Sequence, residues 1–154
     1  MKETVFTLEE ILAILPHREP FLFVDRVTAF SPDRTITTER LIRADEYWCR
    51  GHFPAQPIMP GVLITDGLAQ TAGLLWGFSK QAREGKGESG AQLFYLAACS
   101  MKYTAPARPG DRLELQARVQ RAFAGLHSYQ VEACCGRTRV AGGTLTLSMT
   151  ERDA

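Results

Sequence analysis

The most apolar part of the chain is residues 61–78, where Asp66 is the only charged side chain. Its apolar residues fall on nearly every face of a helix, a pattern typical of a helix that is buried on all sides. Pro60 suits the first turn of that helix, because proline has no N–H to leave unpaired there. The segment approaches the length of a membrane span. Asp66, Gln70 and the proline-rich loop before the segment favour a buried helix of a soluble protein instead, ending near Arg83.

The remaining segments predict one short helix and a set of strands. Thr7 and Glu10 have the spacing of a capping box, and the helix that follows them stops at Pro16. Gly142 and Gly143 indicate a β-bulge within the last strand. Hydrophobic periodicity and turn residues predict the other elements: strands at 21–30, 35–42, 92–103, 113–120, 128–134 and 137–149, a helical turn at 45–49, and a loop at 84–90.

Together these elements predict an α+β fold in which an antiparallel sheet of five or six strands wraps around one long buried helix. The length of 154 residues indicates a single domain, residues 1–154. One copy of such a sheet leaves strand edges and apolar surface uncovered. We therefore expect a homodimer.

The residues best suited to chemistry lie around the start of the long helix. His52 is in the loop that leads into it, and Gly61 stands where free N–H groups and the helix dipole favour negative charge. Asp66 is a carboxylate in an apolar helix, and such a group tends to take up a proton. Gln70 lies four residues on, where its amide can hydrogen-bond Asp66. These groups suit removal of a proton beside a thioester carbonyl and loss of a β-hydroxyl as water. The alternative is that Asp66 and Gln70 form a polar pair that only fixes the packing of the helix.

Composition and spacing exclude several other classes of protein. Eighteen basic and seventeen acidic residues leave a formal charge of +1, so no nucleic-acid partner is expected. The amino-terminal segment has no export signal and the four cysteines have no C-x-x-C spacing, which favours reduced thiols in the cytoplasm. No metal spacing, phosphate loop or serine-hydrolase motif is present, so no cofactor is expected. His17 and His127 have no suggestive neighbours in sequence and are interpreted as structural or surface residues.

Four segments resemble, in order, the signatures of one family, the hot-dog-fold 3-hydroxyacyl-[acyl-carrier-protein] dehydratases of the FabZ and FabA types. They are LPHREPFLFVDR at 15–26, GHFP at 51–54, MPGVL at 59–63 and PARPGD at 106–111. The resemblance spans about residues 8–149. It implies a hot-dog fold, a homodimer or trimer of dimers, and an acyl tunnel between subunits. It further implies acyl carrier protein as the partner that presents the substrate, and His52 of one subunit opposite the acid of the other.

The same resemblance implies roles for individual residues. His52 matches the catalytic histidine and Asp66 matches the catalytic carboxylate. The implied oxyanion and substrate-binding set consists of Gly61, Val62, Gln70 and Phe53. Within this set the Gly61 N–H would polarise the thioester carbonyl, Gln70 would orient the acid, and Phe53 is one of the side chains that would close the acyl tunnel.

Two positions depart from the FabZ type. The FabZ type has Glu at the position of Asp66, whereas the FabA type has Asp there. Thr104 and Ala105 stand where the FabZ type has basic residues, which weakens the expected attraction for an acidic carrier protein. Val62, in contrast, follows the FabZ type, because the FabA type has Cys there.

The sequence thus predicts dehydration of 3-hydroxyacyl thioesters to trans-2-enoyl thioesters, in fatty acid or related polyene or polyketide-like biosynthesis. Isomerisation to the cis-3 product, which the FabA type performs, is not expected. A hot-dog thioesterase that hydrolyses the thioester bond is one alternative. A non-catalytic hot-dog subunit that binds acyl chains is the other.

Overall fold

The computed structural model describes residues 3–86 and 93–150, and within them it contains two α-helices, one 3-10 helix and six strands. In chain order these are α1 (Leu8–Ile14), β1 (Arg26–Ser31), β2 (Thr35–Leu41), the 3-10 helix η1 (Tyr47–Arg50), α2 (Gly61–Glu84), β3 (Leu93–Tyr103), β4 (Arg112–Phe123), β5 (Leu126–Cys135) and β6 (Thr138–Thr150). Parts of the predicted loop at 84–90 and the first residue of the predicted strand at 92–103 lie outside the described residues.

The six strands form one antiparallel sheet in the order β1-β2-β4-β5-β6-β3. Helix α2 packs against this sheet, and most of its residues are buried. This arrangement confirms the predicted α+β architecture with one long buried helix. No helix within residues 3–86 and 93–150 has both the length and the apolar character that a bilayer span requires.

Helix α1 forms as its sequence predicts. Thr7 and Glu10 make the reciprocal capping-box hydrogen bonds, and Leu15 is the C-cap. The Arg18 guanidinium donates to the carbonyl oxygens of Leu12 and Leu15, at 3.1 and 2.8 Å. A cation at the carboxyl end of a helix satisfies free carbonyls and complements the helix dipole. Arg18 thereby fixes the direction in which the chain leaves α1.

Residues 21–24 do not form a strand, and the prediction of one was wrong. Three of their four side chains are buried, so the apolar pattern correctly indicated burial. Their backbone is satisfied by side chains instead of a neighbouring strand: Phe23 N donates to Gln70 Oε1 at 2.8 Å, and Arg40 donates to Leu22 O at 3.2 Å. Short apolar runs do not by themselves reveal which partner will satisfy the backbone.

The predicted bulge at Gly142 and Gly143 was wrong in its position. These residues pair in register, whereas the β5–β6 register shifts between Arg139 and Ala141 of the same strand and the β3–β6 register shifts between Leu96 and Ala98. A side chain at Gly143 would collide with the carbonyl oxygen of Ser100. The glycine therefore permits close approach of a neighbouring strand, a second reason for glycine within a strand.

Leu75 tests how α2 is packed, because its side chain is 0% exposed in the core. We expect Leu75→Ala to lower the free energy of unfolding by about 2–5 kcal/mol, through lost burial and the cavity left behind. Leu8→Ala is the control, since Leu8 is 45% exposed and the same truncation there should change stability by about 0.5 kcal/mol or less. Urea denaturation measures both. Equal losses for the two variants would contradict the packing described.

Candidate active site

His52 lies in a loop that closes on itself just before α2. Its Nδ1 is 2.8 Å from the carbonyl oxygen of Ile58, and Ile58 N donates back to His52 O at 2.8 Å. The Phe53 ring stacks on the imidazole with a centroid distance of 4.2 Å. Because a carbonyl oxygen can only accept, Nδ1 carries the hydrogen and Nε2 of the neutral ring keeps a free lone pair. The loop thus presents His52 as a base through Nε2.

The amino end of α2 supplies hydrogen-bond donors. The helix begins at Gly61, and Pro60 at the N-cap makes no side-chain capping bond. The N–H groups of Gly61 and Val62 have no carbonyl one turn earlier within the helix to accept them. Val62 is 73% exposed, so its side chain does not cover this end. Free N–H groups together with the positive end of the helix dipole suit a developing oxyanion.

One cavity joins these two features. His52, Gly61, Ile64 and Tyr103 are among the residues that line a space of about 370 Å³ beside the end of β3. The predicted base and the predicted oxyanion donor are therefore neighbours within one chain. Asp66, the predicted acid, is not among the lining residues.

Asp66 belongs to a different polar cluster, which Gln70 organises. Gln70 Nε2 donates to Asp66 Oδ2 at 2.7 Å and to Phe21 O at 3.0 Å, while its Oε1 accepts from Phe23 N at 2.8 Å. The Gln70 side chain is 0% exposed. The hydrogen bond predicted from the four-residue spacing is thus present. The two backbone bonds fix the orientation of the amide, because one needs its N–H and the other its oxygen.

Burial raises the pKa of Asp66 above its ordinary value, since a low-dielectric surrounding disfavours the charged form. The Gln70 hydrogen bond and the charge of His17 act in the opposite direction and lower that pKa. Burial is the largest of these effects. The carboxyl group is therefore biased towards its protonated form, which can donate a proton.

His17 is a residue that the sequence reasoning missed. It faces Asp66, whose charge raises the pKa of His17, although burial is the larger effect and lowers it. Its Nδ1 is buried and has no hydrogen-bond partner within the described residues. The imidazole lies 5.6 Å from the Phe94 ring, and that ring occupies the space that a Cβ at Gly73 would need. No sequence spacing links His17 to Asp66, because the loop after α1 folds across α2 from a distant position in the chain.

The two halves of the candidate site lie on different faces of α2. Gly61 and Asp66 are five residues apart, which places them about 140° apart around a helix of 3.6 residues per turn. Gly61 faces the cavity with His52, whereas Asp66 faces the loop that contains His17 and Phe21. Base and acid are thus presented by one chain in different directions.

His127 and the cysteines are not among the residues that line this cavity. The His127 ring packs edge-on against Trp76, at a centroid distance of 6.3 Å. All cysteines of the sequence are free. Within the described part of the chain, no group of three His, Cys, Asp or Glu side chains is arranged to hold a metal ion.

Comparisons with known proteins identify the family of this chain. A family model described as the FabA-like domain matches residues 15–144. The chain is 38% identical over 148 residues to the 3-hydroxyacyl-[acyl-carrier-protein] dehydratase FabZ of Polynucleobacter asymbioticus, covering 96% of this chain and 95% of the relative. It is 38% identical to the FabZ of Lactococcus lactis subsp. cremoris, covering 97% and 99% of the two chains.

Among solved structures, the dehydratase heterocomplex ApeI:P from Xenorhabdus doucetiae has the same fold, with a TM-score of 0.75 and 17% identity over 92% of this chain and 91% of that one. The near-complete coverage by FabZ sequences confirms the resemblance seen in the four motifs. The chain therefore belongs to the FabA-like family and, within it, to the hot-dog-fold FabZ dehydratases.

Proposed function

We propose that this protein dehydrates 3-hydroxyacyl thioesters on acyl carrier protein to trans-2-enoyl thioesters. One observation carries the proposal: the surroundings of His52 and Asp66 favour opposite roles. The Nδ1 bond to Ile58 leaves Nε2 of His52 available as a base, while burial raises the pKa of Asp66 and favours its protonated form. Dehydration needs a base and an acid of opposite state. The FabZ relatives are named for the same reaction.

In this reaction His52 Nε2 takes the proton from the carbon next to the thioester carbonyl. The electron pair moves onto the carbonyl oxygen, and the Gly61 N–H stabilises the resulting enolate. The enolate then expels the β-hydroxyl, which leaves as water after taking the Asp66 proton. A proton passed from His52 to Asp66, directly or through solvent, restores the starting state. No metal or redox cofactor enters these steps.

The remaining predicted site residues position the substrate. Gln70 holds the Asp66 carboxyl through its 2.7 Å hydrogen bond, and its own amide is fixed by backbone. Phe53 is 52% exposed beside the imidazole, and Val62 is 73% exposed beside the oxyanion donors. Apolar side chains at these places suit contact with the acyl chain and with the pantetheine arm. Substitution of each of these residues tests the role assigned to it.

We infer that a homodimer carries the complete site, with His52 of one subunit acting together with Asp66 of its partner. The different directions of Gly61 and Asp66 around α2 support a two-chain site. Strand β3 lies at an edge of the sheet, and Leu96 and Cys99 on it are exposed. An exposed edge of eleven residues is a surface that a second copy can cover. A trimer of such dimers is the alternative assembly.

Acyl carrier protein is the proposed donor of the substrate, and the cytoplasm is the proposed compartment. Lys102 and Arg108 are exposed on either side of the cavity segment 104–107 and suit an acidic carrier, although Thr104 and Ala105 add no charge. The free cysteines fit a reducing compartment. We propose that residues 1–154 act as a single dehydratase domain.

A thioesterase of the same fold is the main competitor and would release a free thiol. Purified protein is incubated with 3-hydroxyacyl carrier, and enoyl formation is followed against thiol release. We expect the trans-2-enoyl product with no cis-3 isomer, because the acid differs from Glu by only one methylene and isomerisation needs a proton at another carbon. Release of thiol without formation of the enoyl product would contradict the proposed dehydration. Formation of the cis-3 product at a comparable rate would contradict the expected absence of isomerisation.

Substitution of the acid and the base separates an enzyme from a non-catalytic acyl-binding subunit. We expect His52→Ala and Asp66→Asn each to lower turnover by roughly a hundredfold or more, the usual scale for a positioned acid or base. Asp45→Asn, at an exposed carboxylate, is the matched control. Steady-state rates and circular dichroism of all three variants make the test. Parent-like turnover of either site variant would remove that residue from the site.

The raised pKa of Asp66 predicts a pH dependence of stability. The folded protein binds this proton more tightly than the unfolded chain, so its contribution is fully present below the ordinary pKa of 3.8 and is lost as the pH rises through the folded pKa. Asp66→Asn removes this titration. The stability of Asp66→Asn relative to the parent protein should therefore increase from about pH 4 to about pH 8. Urea denaturation across this range measures it, and a constant difference would contradict the assigned shift.

Mixing two inactive variants tests the two-subunit site. His52→Ala and Asp66→Asn chains, unfolded together and refolded in equal amounts, form mixed dimers in which one site has both native residues. Random pairing should restore about a quarter of the parent activity. Refolding each variant alone is the control. A mixture as inactive as its components would place base and acid in the same chain.

A further inference from the structure

Tyr103, the last residue of β3, contacts two successive turns of α2. Its hydroxyl is 2.5 Å from Thr65 Oγ1. Its ring lies against Gly61 so closely that a Cβ there would be 2.9 Å from Tyr103 Cε1. Gly61 and Thr65 are four residues apart and share one face of the helix. A single side chain thus joins the end of an edge strand to the place where the oxyanion donor begins.

The Thr65 hydroxyl is committed to this contact. Thr65 is 4% exposed, and among the described residues Tyr103 is the only partner recorded for its hydroxyl. Thr71 on the same helix makes two bonds: its hydroxyl donates to the carbonyl of Gly67 one turn earlier, and its Oγ1 is 2.9 Å from Thr38 Oγ1 on β2. Bonding to the preceding turn is the ordinary choice of a helical threonine. Thr65 makes only the outward bond to a strand.

The first turn of α2 is held by its own backbone and by burial, since Leu63 N and Ile64 N donate to Pro60 O at 2.9 and 3.1 Å and both side chains are buried. Pro60 provides no side-chain cap, although a capping side chain is the usual way to order the first turn. The backbone bond from Met59 N to Ala107 O, at 2.8 Å, anchors the chain just before the helix. The Tyr103 ring and hydroxyl add a contact from a strand to the turn that carries the Gly61 N–H.

We propose that Tyr103 is a positioning residue, which acts through Thr65 to hold the Gly61 amide at the cavity that contains His52. The proposal rests on the proposed function, because the Gly61 amide matters for turnover only if it binds the substrate oxygen. Displacement of a positioned donor weakens transition-state stabilisation more than substrate binding. The effect should therefore appear in kcat while KM stays nearly constant.

Tyr103→Phe keeps the ring against Gly61 and removes only the hydroxyl, and Thr65→Val removes the other partner at nearly constant volume. We expect each to lower kcat by roughly fivefold to tenfold, the scale of one net hydrogen bond, with KM within about twofold. The double variant should be no slower than either single one, because both remove the same interaction. Thr65→Ser retains a hydroxyl and should keep kcat within about twofold of the parent. Tyr47→Phe is the matched control, at a tyrosine outside β3 that is 46% exposed.

A measurement without substrate separates this proposal from the proposed function. In ¹⁵N relaxation, the Gly61 amide should show a lower order parameter in Tyr103→Phe and Thr65→Val than in the parent protein and in Tyr47→Phe. If the parent protein dehydrates nothing, the proposed function fails while this readout still decides the positioning role. An unchanged Gly61 amide in both variants would overturn the proposal, as would additive losses in the double variant. A loss of thermal stability with unchanged kcat and an unchanged order parameter of the Gly61 amide would likewise show that the contact contributes only to packing.

Discussion

The structure of the site depends most on one buried amide. Gln70 is buried, so both N–H groups and the oxygen of its side-chain amide need hydrogen-bond partners within the protein. The N–H groups donate to Asp66 and to Phe21 O, and the oxygen accepts from Phe23 N. An unsatisfied amide at this depth would cost a few kcal/mol. The loop at 21–24 therefore cannot pair with a strand without leaving Gln70 unsatisfied. One side chain of α2 thus decides both the path of a distant loop and the orientation of the acid.

The burial of α2 explains why polar chemistry is confined to a few places. A helix that packs on nearly all sides accepts polar groups only where they are partnered or where the packing is open. Its amino end is open because no side chain caps it, and Asp66 is partnered by Gln70. The same burial that drives folding raises the pKa of Asp66 and so prepares it as an acid. Stability and chemistry are therefore linked in one element.

The spacing of residues along the sequence predicted those contacts that form within a single helix. The capping box at Thr7 and Glu10 and the hydrogen bond between Asp66 and Gln70 follow from helical periodicity, and both are present. Burial of α2 and the number of strands followed from hydrophobic pattern. The motifs resembling known dehydratases then pointed to the same residues.

Interactions between distant parts of the chain were not predictable in this way. His17 and Asp66 influence each other's pKa because the chain after α1 passes near α2, and no periodicity encodes that path. Likewise, the 21–24 segment has a strand-like pattern, but its backbone partners are side chains of Gln70 and Arg40. Apolar patterns report burial, whereas the partner of each buried polar group depends on the complete fold.

The contact between Phe94 and Gly73 has a consequence for how this sequence can diverge. The aromatic ring fills the space that any side chain at position 73 would need. A larger residue at 73 would collide with the ring at 94, whereas a smaller residue at 94 beside Gly73 would leave a void. The two positions form one inherited unit, whose members change together or stay as they are. Among homologous sequences, residues 73 and 94 should accordingly covary in size, although 21 positions separate them along the chain.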